Sequence, residues 1–294
     1  MKKKILVIGS IAIDTTIMSN SMPQAGTTTI ANSYFTNVGG KGANQACASL
    51  FLGGSVSFIG AIGKDSNGEL VKKCLKEHKL NARLKESNYP TGVAFITLDA
   101  KGENQILIIQ GANIDLTKED VDVNDDLFQK GDILLIQLES VPETVQYAIK
   151  KAHEKGMIVV FNPAPVKEFD KSYYQYIDYI VPNEHEIQQL TKLESIEEGA
   201  KYLLDNGCKN VIVTLGENGS VLINSGGICR VNAHKVKAID TTAAGDSYLG
   251  ALVTKLASGK DIIEAMEFAS LASSFTVTKK GAIIALPHLK DLSR

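Results

Sequence analysis

Short apolar, β-branched runs recur along the chain at residues 5–8, 56–59, 133–136, 157–161, 177–181 and 211–214. Several are continuously apolar rather than alternating, the pattern expected of strands buried on both faces of a helix-covered parallel sheet. Between them stand helix starts. Ser66-x-x-Glu69, Ser140-x-x-Glu143 and Ser195-x-x-Glu198 each offer a hydroxyl to an early backbone N–H, with a Glu three residues on. Pro142 suits a first helical position, and Gly156 and Gly207 fall where helices should stop. Strand followed by helix, repeated, predicts an α/β fold with a mostly parallel sheet.

Two segments break the rhythm. Residues 91–98 and 104–109 are β-rich and joined by Asp99-Ala-Lys-Gly102, a hairpin pattern, while 11–38 carries Gly, Thr and Pro without helical period. Together, about 11–38 and 91–110 read as a small β-rich lid on a single domain spanning 1–294. No linker, low-complexity tract or internal repeat divides the chain.

Composition narrows the function. The 294 residues are 44% hydrophobic, enough for one large core. Aromatics are 6% with no Trp, and 31 basic against 33 acidic residues leave a formal charge of −2 with no basic stretch, so neither base stacking nor a phosphate-backbone footprint is expected. Cys47, Cys74, Cys208 and Cys229 are widely spaced, which predicts neither a zinc site nor a disulfide framework and suits a reducing cytoplasm. Lys2–Lys4 followed by an apolar run imitates a signal peptide, but Gly9-Ser10 and Asp14 interrupt it, so a buried first strand is expected. Nothing approaches the roughly 18 apolar residues of a membrane span.

Two stretches offer chemistry. Asp240-Thr-Thr-Ala-Ala-Gly245-Asp246 precedes Tyr248, Leu249, Leu252, Val253 and Leu256, an apolar stripe at helical spacing. A small-residue turn feeding a helix should direct free N–H groups of residues 243–246 at one spot and favour a phosphoryl group there. Asp246 alone is better read as a helix cap; beside an anion hole, a carboxylate makes sense as the acceptor of a hydroxyl proton. Val38-Gly-Gly-Lys-Gly-Ala-Asn44-Gln45-Ala46 is a glycine-rich turn entering a small-residue helix, with Lys41 and Asn44 able to hold sugar hydroxyls or, more simply, with its glycines serving close packing. It is not a P-loop, and no G-x-G-x-x-G dinucleotide fingerprint occurs.

Taken in order, these motifs resemble the ribokinase-like (PfkB) family of carbohydrate kinases, and the Gly-Gly-Lys-Gly-Ala-Asn form resembles its ribokinase branch. Further matching pieces are Gly9-Ser10…Asp14, Gln110-Gly-Ala-Asn113, Gln137-Leu-Glu139, Asn162-Pro-Ala-Pro165, Pro182-Asn-Glu-x-Glu186, Thr214-Leu-Gly-x-x-Gly219 and Val277-Thr-x-Lys-Gly281-Ala282. The resemblance implies a three-layer α/β/α domain with a β-lid and ATP-dependent phosphorylation of a pentose primary hydroxyl, D-ribose first. Asp246 matches the catalytic base, and Ala243, Ala244 and Gly245 the anion hole. Ala12, Asp14, Gly40, Lys41, Gly42, Asn44 and Glu139 match sugar-binding positions. Asn183, Glu186, Thr214, Gly216, Gly219, Gly245 and Ser270 match nucleotide-binding ones, with Asn183-x-x-Glu186 tied to Mg²⁺ and phosphate. Asp240, Thr242, Thr276, Lys279, Gly281 and Ala285 match a K⁺ site, and a homodimer through the lid is implied.

One departure bears on substrate. Ribokinases usually read Gly-Ser-x-Asn-x-Asp where this chain has Gly9-Ser-Ile-Ala12-Ile-Asp14. Losing the Asn amide leaves a ribose hydroxyl less well satisfied by about 1–3 kcal/mol, and an apolar residue here is also found in deoxyribokinase-like relatives. 2-Deoxyribose, another sugar or a nucleoside therefore stay open, as does a non-catalytic sugar-binding regulator on the same fold. The five His residues lack ligand spacing, and Asn162-Pro-Ala-Pro165 reads as a rigid turn without chemistry of its own.

Overall fold

The six apolar runs become six adjacent strands at the centre of a nine-stranded sheet. The computed structural model describes residues 3–22, 24–100 and 104–292. Those central strands are β1 (Ile5–Ile8), β4 (Val56–Gly63), β8 (Ile133–Gln137), β9 (Ile158–Asn162), β10 (Tyr179–Ile180) and β11 (Asn210–Thr214), all parallel. Strand β5 (Asn81–Ser87) closes one edge in parallel, and the antiparallel hairpin β12 (Ser220–Asn224) and β13 (Gly227–Val231) closes the other, in the order β13-β12-β11-β10-β9-β8-β1-β4-β5. A second, four-stranded sheet runs β3-β2-β6-β7, from β2 (Ala12–Met18), β3 (Ser33–Gly39), β6 (Gly92–Leu98) and β7 (Asn104–Ile109). Its outer pairs are antiparallel and β2–β6 is parallel. The turn between β6 and β7 lies outside the described residues at 101–103.

Because successive side chains of a strand point to opposite faces, β1 feeds two cores. Ile5 and Val7 pack with α1 (Lys41–Phe51), α2 (Ser66–Glu77), and, after the short α3 (Lys118–Asp122) and α4 (Pro142–Glu154), with the late helices α7 (Ala244–Ala257) and α8 (Ile262–Thr276). Leu6 and Ile8 face the opposite core, where α4 packs with α5 (Glu184–Thr191) and α6 (Ile196–Asp205). Helices thus cover both faces of the large sheet.

Two of the expected caps fall elsewhere. The N-cap of α2 is Asp65, whose carboxylate accepts the Gly68 N–H at 2.7 Å, not Ser66. Helix α4 starts at Pro142 after an uncapped Val141, and the buried Ser140 hydroxyl has no partner among the described residues. Proline at N1 removes the need for one capping acceptor, since it has no N–H to satisfy. Ser195 caps α6 as expected. Asn183 and Glu186 form a reciprocal capping box on α5: the Asn183 side chain accepts the Glu186 N–H at 2.8 Å, and the Glu186 carboxylate accepts the Asn183 N–H at 2.8 Å.

Candidate active site

In an open parallel sheet, ligands bind beyond the carboxyl ends of the strands. Here the residues following β1, β8, β9 and β10 meet the starts of α1 and α7. Helix α1 begins at Lys41 after Gly40, which adopts φ +88°; a Cβ there would lie 2.8 Å from the Ala12 nitrogen, so only glycine lets the helix start against the end of the first strand. Ser10 donates to the Glu139 carboxylate, which also accepts the Lys41 N–H at 3.1 Å, and Gln110 donates to the Glu139 carbonyl at 2.6 Å. Asn113 accepts from the Ile11 N–H and donates to its carbonyl, at 2.9 and 2.7 Å, so the turn at Ser10 and Ile11 is held from two sides.

Asp246 sits in the first turn of α7 and is not its cap. The N-cap is Ala243, in the left-handed conformation at φ +60°, and offers no side-chain acceptor. The Asp246 carboxylate instead turns inward: Oδ2 accepts from Asn44 Nδ2 and Oδ1 from Gln45 Nε2, each at 2.9 Å. The amides of Ala243, Gly245 and Asp246 have no acceptor among the described residues, whereas the Ala244 N–H donates to the Thr241 carbonyl at 3.2 Å. The expected run of free amides over 243–246 is therefore interrupted at Ala244, because the left-handed residue before it closes a tight turn.

These groups wall a cavity of about 210 Å³ lined by Lys41, Asn162, Asn183, Glu186, Thr214, Thr241 and 243–246, among others. Its electrostatics are dominated by one cation among carboxylates. Burial alone would depress Lys41, but Asp246, Glu139, Glu186 and Asp14 hold its pKa above the ordinary lysine value. Burial, reinforced by Glu139 and Asp246 and offset in part by Lys41, pushes Asp14 up to about 7. Burial likewise raises Glu186, against the Asn183 N–H that its carboxylate accepts. A cluster short of positive charge suits a ligand that brings cations or donates hydrogen bonds, and the buried Asn44 Oδ1 is an acceptor with no partner among the described residues.

The other sequence candidates are placed less centrally. Gly42 packs against Gly9 and Ser10. Thr214 bridges to Asn183 across the ends of β10 and β11, and Gly216 and Gly219, both at positive φ, shape the turn in which the Leu215 N–H donates to the Gly219 carbonyl at 2.8 Å. Ser270, on α8, donates to the Asn232 carbonyl at 3.0 Å and does not line the cavity. The Asp240 carboxylate accepts from the Thr242 and Gly281 amides, both at 2.9 Å, tying 240–242 to the segment that holds Lys279 and Gly281. The Thr276 hydroxyl bonds within the helical pair, to Ser247 at 2.8 Å, and Ala285 is a fully buried packing residue. Lys279 and Lys280 are both exposed, with the Lys279 ammonium 4.3 Å from the centre of the Phe275 ring.

Three buried amides escaped sequence reasoning as functional residues. Gln45, Gln137 and Asn162 form a connected polar group behind Asp246. Each lay within a recognised motif, but a carboxamide in a sequence gives no sign of what it faces.

Comparison with known proteins agrees with this architecture. The family model described as pfkB family carbohydrate kinase matches residues 2–289. The chain is 35% identical to the ribokinase of Staphylococcus aureus (strain COL), covering 100% of both chains. It is 36% identical to the deoxyribokinase of Salmonella typhi, covering 98% of this chain and 97% of that one. Among solved structures, the ribokinase of Arabidopsis thaliana complexed with ribose and ATP superposes with a TM-score of 0.89 at 29% identity, over 99% of this chain and 98% of that one.

Proposed function

Because the chain belongs to the pfkB family of carbohydrate kinases, we propose that it transfers the γ-phosphoryl group of ATP to the primary O5 hydroxyl of a pentose, D-ribose before 2-deoxy-D-ribose. The observation that carries this reading is the Asp246 carboxylate, held beside unsatisfied amides at the start of α7 on the wall of a cavity shared with Lys41, Asn183 and Glu186.

Asp14, Asn44 and Glu139 hold the sugar, with Gly40, Lys41 and Gly42 forming the backbone turn beneath it. As the hydroxyl oxygen attacks phosphorus in line, its O–H bond breaks and the proton passes to Asp246. The bond between the γ-phosphorus and the β,γ-bridging oxygen breaks and ADP leaves. The Ala243, Gly245 and Asp246 amides stabilise the charge spreading over the transferring group, with Lys41 nearby. Asn183 and Glu186 would hold Mg²⁺, since one Glu186 oxygen is committed to the α5 cap while the cavity holds more carboxylate than cationic charge, and the ion's chemistry there would be to neutralise phosphate charge. Thr214, Gly216, Gly219 and Ser270 flank the nucleotide path. The four-stranded sheet acts as a lid that excludes water, which would otherwise hydrolyse ATP.

Asp240, Thr242, Thr276, Lys279, Gly281 and Ala285 would hold K⁺ chiefly through backbone oxygens, since the Asp240 carboxylate already accepts from two amides. A flat rate across a Na⁺-to-K⁺ exchange series removes that element. Exposed Leu107 and Ile108 on the outer strand β7 support a homodimer formed through the lid; a monomer mass by light scattering at micromolar concentration excludes it. Among the described residues no helix is long and apolar enough to cross a membrane.

Ala12 favours a second substrate. It is nearly buried where ribokinases usually carry Asn, so 2-deoxyribose meets no unsatisfied partner that ribose would avoid. ADP release is compared for D-ribose and 2-deoxy-D-ribose with ATP, Mg²⁺ and K⁺. Preference for ribose supports a ribokinase, and preference for 2-deoxyribose gives position 12 the deciding role. Turnover of neither sugar, or undiminished turnover in Asp246→Asn, refutes the reading.

A further inference from the structure

We propose that Gln45 is a positioning residue for this reaction: its buried carboxamide, fixed in orientation by Gln137 and Asn162, locks the Asp246 carboxylate in the rotamer that faces the cavity. The proposal rests on the reading of Asp246 as the base.

Gln45 is wholly buried in α1, and both of its amide hydrogens and its oxygen are assigned. Nε2 donates to Asp246 Oδ1 at 2.9 Å and to Asn162 Oδ1 at 3.3 Å, while Oε1 accepts from Gln137 Nε2 at 2.6 Å. The Asn162 amide donates in turn to the Val181 carbonyl at 2.9 Å. The direction of every bond follows from its end. A main-chain carbonyl only accepts, so Asn162 must present its NH₂ to Val181 and its oxygen to Gln45. A carboxylate only accepts, so Gln45 must present its NH₂ to Asp246, which leaves its oxygen to accept from Gln137, whose own Oε1 has no partner among the described residues. The chain is anchored at the carboxyl ends of the buried strands β8 and β9, whereas Asp246 stands in the first turn of α7, on a different element.

Asn44 approaches the other oxygen of Asp246 from the same helix. With one donor on each oxygen the carboxylate plane is set, and each oxygen keeps capacity for the sugar proton. Core filling alone does not account for the group, because burying three carboxamides brings desolvation costs that apolar side chains of the same size avoid. Charged groups near Asp246 come from several elements: Lys41 on α1, Asp14 on β2, Glu186 on α5, and Glu139 after β8 through Asp14 and Lys41. None of them replaces the neutral donor at Oδ1.

The test is the pH profile of kcat at saturating D-ribose and ATP for the wild type, Gln45→Met, Gln45→Glu and Asp246→Asn. Saturation confines the profile to the loaded enzyme, so titration of free Asp14 falls in kcat/KM instead. Loss of a donor to the charged form raises a carboxylate pKa, and one unit corresponds to about tenfold. Gln45→Met is expected to lower kcat about tenfold or more at neutral pH and to move the acid limb up by about one unit, with the KM for ATP within about threefold of wild type. Gln45→Glu, which places a second carboxyl against Asp246, moves the limb further in the same direction. Folded variants whose acid limb stays at the wild-type position overturn the proposal; if Gln45→Met does not fold, the same-length Gln45→Glu decides it. Abolished turnover in Asp246→Asn combined with an unmoved limb in the Gln45 variants removes the positioning role alone. Retained turnover in Asp246→Asn removes the base and the positioning role together.

Discussion

Asp14 should cost the folded protein stability in return for the place we propose for it at the sugar site. Its carboxyl titrates near 7 in the folded chain against an ordinary value of 3.8. Between those values the native state holds a proton that the unfolded state has released, so stability falls as pH rises through that window and the loss is complete above pH 7. Each unit is worth about 1.36 kcal/mol, which gives roughly 4 kcal/mol at pH 8 against about 1.6 kcal/mol at pH 5. Replacing Asp14 with Asn removes the ionisation while keeping the shape. The variant should therefore gain stability over wild type by an increment that grows by about 2–3 kcal/mol from pH 5 to pH 8. Urea unfolding of both proteins at the two pH values measures it directly. The same variant should raise the KM for the sugar at least about tenfold, as expected when a charge-assisted hydrogen bond is lost. A stability difference that does not change with pH would refute the reasoning, since it would mean that Asp14 ionises in the fold as easily as in the open chain.

Three further outcomes follow from the same contacts. Asn183→Ala removes the cap of α5 and should cost about 1 kcal/mol of stability by urea unfolding, together with a rise in the KM for ATP. Gly39→Ala places a Cβ 2.0 Å from Asp14 Oδ2; it should displace that carboxylate and depress kcat/KM for the sugar well beyond its effect on ATP hydrolysis in the absence of sugar, both read by ADP release. Ala12→Asn should shift the ribose to 2-deoxyribose ratio of kcat/KM toward ribose by roughly tenfold, the worth of about 1.4 kcal/mol from one added hydrogen bond, measured by competition between the two sugars.

The central six strands were legible because a strand covered on both faces leaves its mark in consecutive residues, as in Ile133–Gln137. The edge strands were not. Strand β5 alternates Asn81, Arg83 and Lys85 with less polar positions, and β13 is largely exposed, so neither carries a continuous apolar run. The caps of α2 and α4 were misplaced for a local reason: a neighbouring Asp or Pro satisfies the helix start as well as the Ser that the spacing favoured.

For the site, the sequence by itself determined which residue types stood ready: a glycine-rich turn bearing Lys41 and Asn44, an acid after a small-residue turn, and the Asn183-x-x-Glu186 pair. Those signals are short-range, and backbone chemistry within a few residues suffices to explain them. Only the tertiary structure decided that Asp246 is not a cap, because its two partners lie about two hundred positions away in the chain. It alone decided that Gln45, Gln137 and Asn162 form one network, that Ala244 spends its amide on a turn, and that four carboxylates share one lysine. Hydrogen-bond direction and charge coupling depend on distances of a few ångströms in space, and a linear sequence records such distances only between near neighbours.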